Sequence, residues 1–142
     1  MESSRRRVPV VLDTNFLLIP GQHGVDVFSE LDRVLEVNYR LVTLKGVVEE
    51  LKRIAESKEA GWRDRVAARI ALKLLERVEV LDYGEGMDVD EAITRYAVEN
   101  RAIVCTVDGE LRKKLNKLGI PVVYLRELSH LEVEPDLWGG NV

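Results

Sequence analysis

The sequence predicts an α/β fold, a three-layer sandwich built on a mostly parallel five-stranded sheet. Short apolar runs rich in Val, Ile and Leu alternate with longer stretches of helical spacing. That is the order of a parallel sheet covered by helices on both faces. Acidic residues follow two of the runs, Asp13 directly after Leu12 and Asp108 shortly after Cys105. In open parallel sheets ligands bind outside that carboxyl rim. A chain of 142 residues suits one domain (1–142), with a core from about 8 to 128 and a tail over 129–142.

Arg7 to Leu12 is the first strand, an apolar β-branched run that stops at Asp13. Pro20-Gly21 breaks the chain. Val25, Phe28, Leu31 and Leu35 then recur at helical spacing up to about Asn38. Tyr39 to Thr43 is a second, weaker strand, and Val47, Leu51 and Ile54 mark a helix interrupted near Gly61. Over Trp62 to Arg77, Val66, Ile70 and Leu74 form the apolar face of an amphipathic helix, with Ala67, Ala71 and Leu75 alongside. Val78 to Leu81 is the third strand and Gly84-Glu85-Gly86 a turn. A helix from Val89 to Asn100 leads into the fourth strand, Ala102 to Thr106. Glu110 to Leu118 is a helix ended by Gly119, and Pro121 to Leu125 the fifth strand. No clear periodicity follows Arg126.

Hydrophobic residues make up 46% and charged residues 32% of the chain, which excludes a disordered one. No apolar run has the length of a membrane span, and no apolar signal-peptide core follows the basic N-terminus. A cytoplasmic protein without a membrane partner is the expectation. The single cysteine, Cys105, lies in an apolar run and reads as a buried thiol. Net charge is −4, yet basic residues gather at Arg5-Arg6-Arg7, from Lys52 to Lys73, and from Arg112 to Lys117. Each cluster is either a solvated helix face or a phosphate contact.

Helical angles separate the remaining acids. At about 100° per residue, Glu50 falls roughly 70° from the core direction of Val47, Leu51 and Ile54, while Glu49 points away. Asp88 and Glu91 have the spacing of a capping box, with Asp88 as N-cap and Glu91 reaching back. Asp90 is left over, roughly 90° from the face made by Val89, Ile93 and Tyr96. Asp108, followed by Gly109, also serves as a helix cap. Asp13, Glu50, Asp90 and Asp108 gathered at one rim would repel each other unless a cation lay between them. Hard oxygen ligands without Cys or His select Mg²⁺ or Mn²⁺. Such a centre suits phosphoryl chemistry, with a lysine or second ion neutralising the leaving oxygen.

These residues resemble the motifs of PIN-domain nucleases. Val11-Leu12-Asp13-Thr14-Asn15-Phe16-Leu17-Leu18-Ile19-Pro20 is similar to the opening motif, nearest the branch of archaeal PIN proteins and small-subunit ribosomal RNA processing factors. Val47 to Leu51 resembles the second motif, with Glu50 as ligand. Asp90-Glu91-Ala92-Ile93 with Ala97 resembles the third, and Thr106-Val107-Asp108 with Leu111 the fourth. The resemblance implies a metal-dependent endoribonuclease in which Asp13, Glu50, Asp90 and Asp108 bind Mg²⁺ or Mn²⁺. Thr14, Asn15 and Thr106 match small polar positions that steady the site. Either ribosomal RNA processing or the role of a VapC-type toxin fits. RNA is then the substrate, and an antitoxin, a ribosome-assembly factor or a second copy the partner. Leu131, Val133, Leu137 and Trp138 of the tail are candidates for an interface. Two departures stand out: Val107 replaces a common Asn, and Glu91 a common second Asp.

Other acid-bearing α/β folds fit worse. A receiver domain needs a phospho-acceptor Asp ending the middle strand and a Lys after the fifth, where Arg126 stands. A haloacid-dehalogenase-type phosphatase needs a second Asp where Asn15 is, and a dinucleotide-binding fold needs a Gly-rich first turn. A PIN-like module that binds RNA or protein without cutting would have lost acids, and none is lost.

Overall fold

The computed structural model describes residues 6–135. Arg5 of the first basic cluster, and Leu137 and Trp138 of the tail, lie outside the described residues. The elements in chain order are β1 (Val8–Leu12), α1 (Thr14–Leu17), α2 (Ile19–His23), α3 (Val27–Val34), β2 (Tyr39–Leu44), α4 (Lys45–Glu56) and α5 (Trp62–Leu74). There follow β3 (Glu79–Leu81), α6 (Val89–Asn100), β4 (Ile103–Cys105), α7 (Gly109–Lys117), β5 (Val122–Arg126) and β6 (His130–Glu134). The sheet runs β3-β2-β1-β4-β5-β6, parallel except for β6. Val10, Val11 and Leu12 are wholly buried in succession, so β1 is covered on both faces and pleating leaves no solvent side.

The sheet has six strands where the sequence predicts five. β6 pairs antiparallel with β5, from Arg126 beside His130 to Val122 beside Glu134. Its alternation was present in the sequence, since Leu131 is fully buried between polar neighbours. The turn before it hid the hairpin. Glu127 and Leu128 both adopt left-handed backbone (φ 54° and 56°), a conformation ordinarily signalled by Gly or Asn. Leu131 therefore belongs to this chain's own core, and Val133 packs against that core, so neither is a free interface residue.

Three further expectations give way. Pro20-Gly21 does not break the chain but lies inside α2, with Pro in the first turn where its missing N–H costs nothing. Gly21 is required there: a Cβ would stand 2.5 Å from the Cα of Ala67 on α5. This close approach explains the second correction. The buried face of α5 is Ala67, Ala68 and Ala71, while Val66 and Ile70 are each 38% exposed. Small residues let α2 come near, and the larger ones turn outward. The capping box fails as well. Asp88 is the N-cap of α6 but makes no side-chain cap bond, and Glu91 faces Arg95 at 3.7 Å instead.

Among the described residues no helix is long and apolar enough to cross a membrane. Cys105 is a free, buried thiol, pushed well above its usual range by burial.

Candidate metal and nuclease site

The connections run from β1 out to β2 and β3, then back across to β4 on the other side of β1. That reversal leaves a crevice between β1 and β4 at the carboxyl rim, the place where open α/β sheets bind ligands. Asp13 ends β1 there. Its amide donates to the Cys105 carbonyl at 3.0 Å, continuing the β1–β4 ladder by one residue. Asp108 follows β4 across the same crevice. Glu50 is carried by α4, which leaves β2, and Asp90 by α6, which follows β3. Four parallel strands thus each contribute one acid from the chain beyond their carboxyl end.

Asp13 is 4% exposed. Its Oδ1 accepts from the Thr14 amide at 2.8 Å and its Oδ2 from the Thr106 hydroxyl at 2.7 Å. Thr106 also accepts from the Asp108 amide at 3.1 Å, so one hydroxyl links the acids of β1 and β4. The Thr14 hydroxyl donates to Oε1 of Glu50. Asn15 Oδ1 accepts from the Val107 amide at 3.0 Å. That bond uses main chain, so the residue 107 side chain is free to be the exposed Val107. Thr14, Asn15 and Thr106 thus form a continuous network tying three of the acids together.

Electrostatics join the fourth. Burial pushes the Asp13 carboxyl up from 3.8 to about 6; the Thr106 and Thr14 hydrogen bonds oppose the rise, and the charges of Asp90 and Glu50 add to it. Asp90 is also raised, by burial first, then by Asp108, Asp88 and Glu50, with Lys114 acting the other way. The acids therefore sense one another, and Lys114 is the cation that reaches them. Glu50 is half-buried and Glu49 exposed, as the helical angles predict, and Glu91 is exposed and away from the group.

The side chains do not close into a ligand shell. Among the described residues no three Asp, Glu, His or Cys side chains stand close enough to hold an ion as arranged. Three hydrogen bonds hold Glu50 and Asp108 apart from the others. Thr14 holds Glu50, and Asp108 caps α7 by accepting from Glu110 and Leu111 at 2.9 and 3.3 Å. Mutual repulsion separates the charges further. The donor set is nevertheless hard oxygen throughout, with an almost fully buried carboxylate that has no cationic partner among the described residues, and this fits Mg²⁺ or Mn²⁺ rather than a softer ion.

One site residue escaped the sequence reading. Thr43, wholly buried, donates from its hydroxyl to the Leu12 carbonyl at 2.6 Å. It fixes the last turn of backbone before Asp13. The signal was a hydroxyl at the end of the strand that pairs with β1, visible only once register is known. A concavity of about 840 Å³ lies elsewhere, at the amino ends of β1 and β2 among Arg7, Asp32, Tyr39, Arg40, Arg77 and Glu79. Within it Arg40 pairs with Glu79 at 2.6 Å, and the Tyr39 hydroxyl donates to Asp32.

Comparison with known proteins agrees with this geometry. A family profile described as PIN like domain matches residues 10–128. Ribonuclease VapC4 of Methanocaldococcus jannaschii is 34% identical over 125 residues, covering 87% of this chain and 95% of that protein. Ribonuclease VapC9 of Archaeoglobus fulgidus is 37% identical over 125 residues, covering 87% of each. Among solved structures, the PIN domain endonuclease Utp24 superposes with a TM-score of 0.71 at 29% identity, over 89% of this chain and 90% of that one. With all four acid-bearing segments inside the matched span, the chain belongs to the PIN-like domain family.

Proposed function

We propose that this chain is a divalent-metal-dependent endoribonuclease whose ion is held by Asp13, Glu50, Asp90 and Asp108. The observation that carries the reading is Asp13: a nearly buried carboxylate at the sheet's switch point, oriented by two hydrogen bonds, sensing the charges of Asp90 and Glu50 and, among the described residues, without a cationic partner. Such a group is costly without an ion and serviceable with one. The names of the relatives, two ribonucleases and an endonuclease, support the same chemistry.

Mg²⁺ or Mn²⁺ bound there supplies charge neutralisation and an activated water for phosphodiester hydrolysis. The chain's own groups prepare the site. Thr106 and the Thr14 amide hold both Asp13 oxygens, and the Thr14 hydroxyl sets Glu50. Lys114, whose charge already reaches Asp90, is placed to meet a phosphate oxygen. No side-chain nucleophile is required.

A metal-titrated RNA cleavage assay on wild type and Asp13→Asn tests the reading. Cleavage that needs Mg²⁺ or Mn²⁺ and disappears in a folded Asp13→Asn protein supports it. RNA binding without cleavage in either metal overturns it in favour of a non-catalytic binding module. The VapC names favour a toxin setting over ribosomal RNA processing, and a small antitoxin gene beside this one would decide. An antitoxin and a second copy of the chain are the protein partners this setting calls for.

A further inference from the structure

We propose that a pocket between α2 and α5 holds a base of single-stranded RNA stacked on Trp62. The ligand class rests on the nuclease reading above; the geometry is independent of it. Trp62 opens α5 and is 64% exposed. With Gln22 and His23 of α2, and with Arg63, Asp64 and Val66, it lines a cavity of about 490 Å³. One aromatic wall and several polar edges (amide, imidazole and carboxylate) are the features that receive an unstacked base. The Arg63 guanidinium carbon lies 5.7 Å from the Trp62 ring centroid, adding a cation to the stacking platform.

The rest of the α5 face carries charge of one sign. With Ala67, Ala68 and Ala71 turned inward, the outward arc holds Trp62, Val66 and Ile70 interleaved with Arg63, Arg65, Arg69 and Lys73. No acid stands among them. Asp64 is turned to the α2 seam, where it accepts from Gln22 Nε2 at 3.4 Å. Arg65 is held by the carbonyls of Ser57 and Ala60, and Arg69 by that of Ala55. On a chain of net charge −4, four cations on one helix face are a local reversal.

The pattern distinguishes between partners. A face whose charges are all positive, running through the apolar stripe from Arg63 to Lys73, favours a polyanionic partner. Phosphates passing an aromatic platform need that arrangement. The chain also joins this pocket to the acids, because the segment that begins at Asp13 ends, two short helices later, at His23.

A Trp138→Phe variant leaves Trp62 as the sole tryptophan of the chain. It is titrated with a single-stranded oligoribonucleotide in chelator, so that nothing is cut. Saturable quenching of Trp62 is expected, and an abasic oligonucleotide of equal length should not reproduce it. Trp62→Ala should weaken binding roughly tenfold or more. Unchanged Trp62 emission with an RNA that the protein binds, and cuts once Mn²⁺ is added, sinks the pocket and leaves the nuclease standing. Parental affinity in Trp62→Ala also sinks it and assigns the stripe to a protein partner. Absence of both RNA binding and cleavage removes the two readings together.

Discussion

The Thr106 hydroxyl donates to Oδ2 of Asp13 at 2.7 Å across the crevice between β4 and β1. Thr106 is fully buried and Asp13 nearly so, and the two are 93 positions apart in the chain. The bond is made only when β4 lies beside β1. It sets the direction of the carboxylate on which the proposed chemistry depends.

Thr106→Val keeps the shape and removes the hydroxyl. Loss of such an orienting partner typically costs 10- to 100-fold in metal affinity or activity. The expected outcome is a folded protein whose cleavage needs a correspondingly higher Mn²⁺ concentration. A Mn²⁺ titration alongside a circular dichroism spectrum checks both halves. Unchanged metal dependence would show that Thr106 only packs.

Asp13 should make stability fall with rising pH in chelator. Its folded value, about 6, lies above the unfolded 3.8. The folded state therefore holds the proton more tightly, and the associated stability is fully present below pH 3.8. It is lost as pH climbs through 6, by about 3 kcal/mol. Urea denaturation of wild type and Asp13→Asn at pH 4 and pH 8 reports on Asp13 and the acids coupled to it, because carboxyls outside the site cancel in the difference. Parallel pH profiles would refute it, and Mn²⁺ should restore stability at pH 8 in the wild type alone.

Asp108 has two roles that substitution separates. Asp108→Asn keeps an oxygen for the α7 cap, whose bonds run to Glu110 and Leu111. Asp108→Ala loses that cap, at about 1 kcal/mol. Both variants should lose cleavage if the carboxylate serves the ion, while only the alanine variant melts lower. Full activity in Asp108→Asn would reduce the residue to a cap.

Gly21→Ala should be destabilising by about 1–3 kcal/mol, since the new methyl meets the backbone of Ala67. A lowered urea midpoint checks it. Conversely, Glu127→Asn with Leu128→Gly relieves two left-handed residues at the β5–β6 turn. Leu128 is 62% exposed and little burial is lost, so stability should rise by about 1 kcal/mol, read as a higher urea midpoint.

Much of this was legible in the sequence because it depends on local pattern. Helical angle separates Glu50 from Glu49, and strand-end position marks Asp13 and Asp108. What was not legible depends on partners distant in the chain. Thr43 matters because its hydroxyl falls opposite Leu12, a fact of register. The outward turn of Val66 and Ile70 follows from Gly21 pressing on Ala67, which no periodicity within α5 contains. β6 went unseen because Glu127 and Leu128 adopt a turn their types do not advertise.

The strand order has a consequence for biosynthesis. β1 and β2 leave the ribosome early, but the flank of β1 that forms the crevice stays open until β4, at residues 103–105, has been made. Thr106 and Asp108 emerge later still. A nascent chain therefore carries Asp13 and Glu50 before it has the bond that aims Asp13 or the acid that faces it. On the nuclease reading, the growing polypeptide is harmless to the messenger and ribosome that produce it until β4 and the residues just after it have been made.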